Sequence, residues 1–320
     1  MNRKNKGGTY RDIFNLALPV SLESVFQTSF SLIDQIIVGS LGAVAVAAVG
    51  LSNNLSFILT LLYAGIGTGS GAFIAQAYGR RDMDEVSKIA ALGEAAAAML
   101  GVCSALPLVL FPTPILRLLG AQPDVVKTAS VYLQLFALST PMNIMSAVAI
   151  AIFRSMSDTR TPMAITMSAV FLNTILGLML VLGLGGFPRL CVVGAGLATL
   201  ISQTLRALAL LTVLYSRKEG IRWHWPSGSI LGRIGPSLYK VTYPIAFSEM
   251  FWGASVFVYV VIFTRISTDA LAASQIVTAI ESLFIVAASG LAPVAVATVG
   301  QALGINSRTL CLPRTTPYST

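Results

Sequence analysis

Long stretches without a charged residue alternate along this chain with short segments rich in charge, glycine or proline. The uncharged stretches occupy 35–79, 95–116, 128–153, 161–188 and 282–307. A helix needs about 20 apolar residues to cross the hydrocarbon core of a bilayer, so breaks were placed at the charged and Gly/Pro-rich segments. The pattern predicts eight membrane-spanning helices, near 13–38, 46–78, 89–112, 129–153, 163–185, 192–215, 238–264 and 271–303.

The composition indicates an all-α integral membrane protein. Of the 320 residues, 55% are hydrophobic and 11% are charged, and the mean hydropathy is +0.79. A soluble domain cannot keep that much apolar surface away from water. The three cysteines form no CxxC pair, and the chain has no HExxH or GxSxG motif. We therefore expect a protein that is not an enzyme, with no catalytic residue, cofactor or structural metal.

The basic residues predict the orientation in the membrane. Assigning the loops alternately to the two sides puts 16 of the 21 Lys and Arg residues on the side of the N-terminus and four on the other. Basic residues accumulate in cytoplasmic loops, so we expect a multi-pass protein of the cytoplasmic (inner) membrane with its N-terminus inside. This topology explains the net charge of +8 without a nucleic-acid partner.

The chain contains an internal repeat at a constant offset of 225 residues. Chance similarity between apolar helices rarely aligns prolines, glycines and glutamines in one register. Six predicted spans separate the two repeat starts, an even number, so both copies enter the membrane from the same side. Such parallel repeats are a feature of secondary transporters. The matched pairs are Pro19 with Pro244, Phe26 with Phe251, Gly65 with Gly290, Gln76 with Gln301 and Gly79 with Gly304.

The repeat predicts the domain organisation. We expect a six-helix lobe at 1–218, a cytoplasmic inter-lobe loop at 219–237, and the first two helices of a second lobe at 238–304. The segment 305–320 contains two prolines and no apolar run, and nothing in it resembles the sequence that follows Gly79. We expect a second lobe shortened relative to that of a longer parent.

Asp34 is the most informative ionisable residue within the predicted spans. It lies 15 residues after Pro19, roughly four helical turns, and the uncharged run that follows offers it no nearby cation. Burial favours the neutral carboxyl, whereas bound Na⁺ or a cationic substrate favours the carboxylate. A group between those states suits cation or proton coupling, and the alternative is an interfacial aspartate close to the helix end.

The other ionisable residues in the spans each allow two interpretations. Glu23 and Glu249 lie near the predicted starts of their helices, where a carboxylate can meet the positive end of the helix dipole. Capping and a role in transport are equally good explanations for both, and for Glu281. We expect Glu94 and Arg206 to be interfacial or internally paired.

Prolines and neutral polar residues are the remaining candidates within the spans. Pro19 and Pro244 free backbone carbonyls and are expected to kink their helices. Asn173 in the fifth span and Thr199 in the sixth can either ligate an ion or bond across helices, and bonding across helices is the simpler interpretation.

On these residues, the chain resembles bacterial members of the multidrug and toxic compound extrusion (MATE) family of efflux transporters. The most specific match is the loop RSMSDTRTP, since Arg154, Asp158 and Pro162 at this spacing are difficult to obtain by composition. The matching segments are LALPVSLESVFQTSFSLIDQIIVGSLG at 16–42, FRSMSDTRTPM at 153–163, VGAGLATLISQ at 193–203, ALAASQIVTAIESLF at 270–284 and VGQALG at 299–304.

The resemblance implies a fold of twelve helices in two six-helix lobes that exports cationic or amphipathic drugs in exchange for Na⁺ or H⁺. It assigns ion coupling to Asp34, Asn173 and Thr199. Many members have a second acid one turn after the asparagine, where this chain has Gly177, so the choice between Na⁺ and H⁺ stays open. The expected cavity residues are Gln27, Glu249 and Glu281.

Two alternatives stay open at this point. One alternative to a working drug transporter is an inactive relic of such a protein, as the tail after Gly304 suggests. The other is a lipid-linked oligosaccharide flippase of the same superfamily. A flippase cavity is expected to carry more basic residues at membrane depth, where Arg206 is the only candidate. For the transporter we expect drug substrates and the lipid bilayer as partners, and a monomer.

Overall fold

In the computed structural model, the described residues form helices joined by short turns, and no strand occurs among them. These residues are 6–119, 121, 123–216, 221, 232, 235–236, 239–245, 247–249, 251–253, 255, 258, 262, 285 and 290–311. Their helices are α1 (Lys6–Gly39), α2 (Ala43–Gly79), α3 (Met83–Leu110), α4 (Pro112–Leu118), α5 (Pro123–Ser155), α6 (Arg160–Leu182), α7 (Cys191–Ser216) and α8 (Leu291–Cys311).

The first six predicted spans are confirmed as helices, although α3 ends at Leu110 and α6 at Leu182, two and three residues before the predicted ends. The sequence pattern did not predict the short helix α4, because its residues continue the apolar run of the third span. Phe111 ends α3 with non-helical backbone angles, and Pro112 then occupies the first position of α4. Proline fits there, since the first N–H groups of a helix have no partner within the helix.

Polar side chains fix where two of the membrane helices begin. The Asp82 carboxylate accepts a hydrogen bond from Glu85 N at 2.9 Å at the start of α3, and Asp158 accepts from Thr161 N at 3.0 Å at the start of α6. Both aspartates satisfy N–H groups that the first turn leaves without partners. At the other end of α6, Gly183 adopts φ 74°, a left-handed conformation that favours glycine.

Several helices expose large apolar side chains, as lipid-facing helices do. Exposed side chains include Ile36 (73%), Met99 (62%) and Leu118 (88%). Among the described residues, five helical segments are long and apolar enough to cross a membrane, namely Ile13–Gly39, Met83–Leu110, Pro123–Ser155, Arg160–Leu182 and Cys191–Ser216. The chain is therefore a multi-pass membrane protein.

The helix α5 occupies the centre of the bundle and packs against α2, α3 and α7. Its buried Ile152 and Phe153 meet Ile89 of α3 and Leu214 of α7 in one apolar core. Small residues allow such helices to approach closely. A Cβ added to Gly101 of α3, for example, would lie 2.5 Å from the Cα of Pro141 in α5.

The second repeat copy contacts the first through α8, which packs along α2. A Cβ on Gly79 would collide with the backbone of Gln301, and a Cβ on Gly304 would collide with the carbonyl of Gln76. Under the offset of 225 these two contacts exchange, because Gly304 corresponds to Gly79 and Gln301 to Gln76. Such a reciprocal contact is what an approximate two-fold axis between two parallel copies produces.

Two boundary predictions in the second copy require correction. The eighth span was predicted as one helix over 271–303, but Gly290 is a turn residue and α8 begins at Leu291. A Cβ at Gly290 would approach Ser21 N at 2.9 Å, so the chain passes too close to α1 for a larger residue. The helix α8 also continues past Gly304 to Cys311. The proposed lobe boundaries stay predictions.

Candidate ion and substrate cavity

A cavity of about 270 Å³ opens among α1, α2, α5, α6 and α7. It contains four residues that the sequence predicts for one site: Asp34, Gln27, Asn173 and Thr199. Their roles stay predictions, but the structure brings these four side chains to one place. Helix periodicity puts Gln27 and Asp34, seven positions apart, on one face of α1. Packing of α6 against α1 and of α7 against α6 brings Asn173 and Thr199 to that face.

Asp34 is held by neutral donors from α6. Thr174 Oγ1 donates to Asp34 Oδ1 at 3.2 Å. The amide of Asn173 has one orientation that satisfies all its neighbours, in which Nδ2 donates to Asp34 Oδ2 at 2.9 Å. In that orientation Oδ1 accepts from Ser202 Oγ at 2.9 Å and from Thr199 N at 3.2 Å. The carboxylate is thus fixed in position by hydrogen bonds, without a charged partner.

Among the described residues, no basic side chain forms an ion pair with Asp34. The one basic residue that lines the same cavity there is Arg206 of α7. Its Nη2 donates to Asn143 Oδ1 at 2.7 Å, so Arg206 is internally paired, as expected. The cavity therefore contains an unpaired acid that can take up a proton or another cation.

Gly177 lines the cavity one turn along α6 from Asn173. A Cβ added at Gly177 would meet nothing within 4 Å. The space for a second carboxylate therefore exists, but the residue does not supply one. Asp34 is the one carboxylate that lines this cavity in the described part of the chain, and no group of three His, Cys, Asp or Glu residues there can hold a metal ion.

A charged pair connects α1 with the end of α5. Arg154 Nη2 donates to Glu23 Oε2 at 2.9 Å, and Gln27 Nε2 donates to Glu23 Oε1 at 3.2 Å. The prediction that Glu23 lies near a helix start is wrong, because α1 begins at Lys6. Glu23 is instead 1% exposed, and its charge is balanced by Arg154 rather than by a helix dipole.

The predicted loop motif joins α5 to α6 and touches the second repeat copy. Arg154 ends α5, Asp158 accepts from Thr161 Oγ1 at 2.7 Å, and Pro162 lies in the first turn of α6, where its missing N–H is tolerated. Gln301 Nε2 of α8 donates to the carbonyl of Ser155 at 2.7 Å. The motif therefore connects the end of α5 with α8.

The remaining predicted residues lie elsewhere. Pro19 is inside α1, and Pro244 and Glu249 lie in helical residues that do not line the Asp34 cavity. Glu281 lies outside the described residues. Glu94 was expected to be interfacial or paired, which is wrong: it is 1% exposed, and neither carboxylate oxygen has a hydrogen-bond partner among the described residues.

The sequence did not single out Thr174, Ser202 or Tyr132, which also belong to this site. Thr174 donates to Asp34, and Ser202 and Tyr132 line the cavity. Thr174 adjoins Asn173, and Ser202 follows Thr199 by three residues. Both are polar residues within an apolar span, which is the signal that pointed to Asn173 and Thr199. Hydroxyls of this kind commonly bond back within their own helix, which makes them poor markers of a site.

Comparison with known proteins agrees with this fold. The MatE family model matches residues 19–179, about half of the chain, and the chain belongs to the MatE family. It is 30% identical over 222 residues to the probable multidrug resistance protein YoeA of Bacillus subtilis. It is 26% identical over 304 residues to a probable multidrug resistance protein NorM of Thermotoga maritima.

Coverage of these relatives is partial. The matches include 69% and 93% of this chain, but 48% of the Bacillus protein and 64% of the Thermotoga protein. Among solved structures, a mutant of the Vibrio cholerae MATE transporter VcmN matches 96% of this chain and 69% of that chain, with TM-score 0.87 and 20% identity. A MOP superfamily transporter from Pyrococcus furiosus matches 93% of this chain and 67% of that chain, with TM-score 0.80 and 24% identity.

Proposed function

We propose that this chain forms the ion-coupling lobe of a secondary transporter that exports cationic or amphipathic drugs across the bacterial cytoplasmic membrane, by antiport with H⁺ or Na⁺. Family members of similar sequence are named as probable multidrug resistance proteins, which supports drugs as the substrate class. The basic residues support an N-terminus on the cytoplasmic side. The protein acts as a monomer and needs no cofactor besides the coupling ion.

The observation that carries the proposal is the position of the Asp34 carboxylate and the neutral character of its hydrogen-bond partners. Its carboxylate lines a polar cavity in a membrane-spanning helix and has neutral hydrogen-bond donors as its described partners. A charge at mid-membrane depth is disfavoured by roughly 2.5–3.5 kcal/mol on insertion scales. A proton, a sodium ion or a cationic drug would each relieve this, and competition among them for one carboxylate is the basis of antiport.

The same arrangement favours H⁺ over Na⁺ as the coupling ion. Sodium requires several oxygen ligands, whereas Asn173 directs an N–H group at Asp34 and Gly177 supplies no second carboxylate. A proton needs only the carboxylate itself. Within the described residues, Arg206 is the single basic side chain of this cavity, which is weak support for a flippase of large anionic lipids.

The test is export of a fluorescent organic cation from cells, with Asp34→Asn beside Asp124→Asn as a matched control on the exposed first turn of α5. Because the chain spans 64% or less of the two relatives, it is assayed alone and as a fusion completed with the C-terminal part of the Thermotoga protein. We expect Asp34→Asn to lose export and Asp124→Asn to keep it. Equal export by both variants would refute the role of Asp34.

A further inference from the structure

Arg206 places a fixed positive charge well inside a membrane-spanning helix. It lies in α7, which runs from Cys191 to Ser216, and it lines the same cavity as Asp34. Insertion scales put the penalty for an arginine near the helix centre at roughly 2.5–3.5 kcal/mol. An arginine at this depth therefore requires a compensating partner, either from the protein or from a ligand.

The described protein groups do not supply a neutralising partner. Nη2 bonds to the neutral amide of Asn143, and Nε is buried without a hydrogen-bond partner among the described residues. Glu23 is already occupied by Arg154. No described carboxylate lies within ion-pair distance of Arg206. Glu23 acts on it only from a longer distance, and Arg206 therefore has no direct counter-charge among the described residues.

Asp34 and Arg206 lie at opposite ends of one polar path. Asp34 bonds to Asn173, and Asn173 bonds to Ser202 of α7. Arg206 follows Ser202 by four residues, which is about one helical turn or 6 Å along the axis. The neutral amides of Gln27 and Gln203 line the same cavity. The cavity thus presents a carboxylate and a guanidinium to any molecule that binds in it.

We propose that Arg206 binds an acidic group of the substrate, so that the cavity selects amphoteric organic compounds, which carry a cationic group and a carboxylate, over cations without the acid. The inference rests on the proposed function, in which Asp34 takes the cationic group. A guanidinium suits this role, because it remains charged and its planar donors match a carboxylate. The cationic group meets Asp34 of α1, and the carboxylate meets Arg206 of α7, both of which line the one cavity.

The test compares two dyes that differ only at the acid: a rhodamine with a free carboxylate, and the methyl ester of the same rhodamine. Dissociation constants for the purified chain in lipid nanodiscs are measured by fluorescence polarisation. We expect the free acid to bind more tightly than the ester. Arg206→Gln should weaken binding of the free acid about tenfold or more, as loss of a charge-assisted hydrogen bond does, and should not weaken binding of the ester.

Three variants separate this role from a structural one. Arg206→Lys keeps the charge and should keep the preference for the free acid. Arg117→Gln, at an exposed position of α4, should change neither dissociation constant. Asp34→Asn should raise the dissociation constants of both dyes by a similar factor, which tests the proposed function separately. The ratio between the two dyes does not depend on the fraction of folded protein.

Two results would overturn the proposal. One is an Arg206→Gln variant that changes the dissociation constants of both dyes by the same factor, which would mean that Arg206 only holds α7 to α5 through Asn143. The other is a wild-type chain that binds the ester as tightly as the free acid. If Asp34→Asn leaves both dissociation constants unchanged while Arg206→Gln affects only the free acid, the proposed cation site fails and the acid site stands.

Discussion

Gly300 of α8 packs against Ala75 of α2, and these two residues are equivalents in the two repeat copies. A Cβ added to Gly300 would lie 2.6 Å from the Cβ of Ala75. A position meets its own equivalent only where a two-fold axis passes, so the axis that relates the copies runs through this contact. The neighbouring exchange of Gly79 with Gln301 and Gly304 with Gln76 follows from the same axis.

Gly79→Ala should destabilise the contact between the repeat copies. The added Cβ would collide with the backbone of Gln301, which cannot move without shifting α8. Overpacking of this kind lowers the free energy of unfolding by about 1–3 kcal/mol, measured as thermal or denaturant unfolding in detergent. The control is Gly39→Ala, where a Cβ meets nothing within 4 Å. Equal stability of the two variants would contradict the contact.

Breaking the buried pair of Glu23 and Arg154 should be costly. Glu23→Gln leaves Arg154, whose side chain is 22% exposed, without its countercharge, and loss of one partner of a buried pair lowers stability by about 3–5 kcal/mol. The double variant Glu23→Gln/Arg154→Gln should lose less than the sum of the two single variants. Arg80→Gln, which breaks the more exposed pair with Glu85, should cost no more than about 1 kcal/mol.

Gly177 should accept a side chain that Gly194, outside the cavity lining, rejects. Gly177→Ala and Gly177→Asp should fold normally, because nothing lies within 4 Å of the added Cβ. Gly194→Ala is the control, since its Cβ would lie 2.6 Å from the Leu180 carbonyl carbon. If the cavity binds the coupling ion, Gly177→Asp should also add a sodium dependence to dye binding. An unfolded Gly177→Ala variant would show that this space does not exist.

Asp158 should stabilise the start of α6 through its hydrogen bonds to Thr161. Asp158→Ala removes this cap and should lower the free energy of unfolding by about 1 kcal/mol. Asp158→Asn keeps an acceptor oxygen and should retain most of that stability. The effect is measured by denaturant unfolding, and a loss from Asp158→Asn as large as that from Asp158→Ala would point to the charge rather than the cap.

The sequence was sufficient to predict most of the helices and part of the site. Apolar runs of bilayer length predict the spans directly. The offset of 225 paired Gly79 with Gly304, each of which packs against a glutamine of the other copy. Asp34, Asn173 and Thr199 were singled out because polar groups are rare in such runs. Their meeting depends on how α1, α6 and α7 pack, which helix periodicity does not predict.

Other features depend on distances that a single sequence does not contain. Glu23 and Arg154 are 131 positions apart, and nothing in the pattern pairs them. The same holds for Arg206 with Asn143. The start of α1 at Lys6 was missed because its first turns contain polar residues, and this error placed Glu23 at a helix start. Glu94 was expected to be interfacial or internally paired, yet it is buried and neither carboxylate oxygen has a hydrogen-bond partner among the described residues.

The most direct test of the account is ion release from the purified chain when a cationic dye binds. If Asp34 holds the coupling ion and the dye displaces it, binding should release up to one proton per chain in weakly buffered solution at a pH where Asp34 is protonated, and Asp34→Asn should release none. Dye binding by the wild-type chain without release of a proton or a sodium ion, or equal release from the Asp34→Asn variant, would contradict the assignment of Asp34 as the coupling residue.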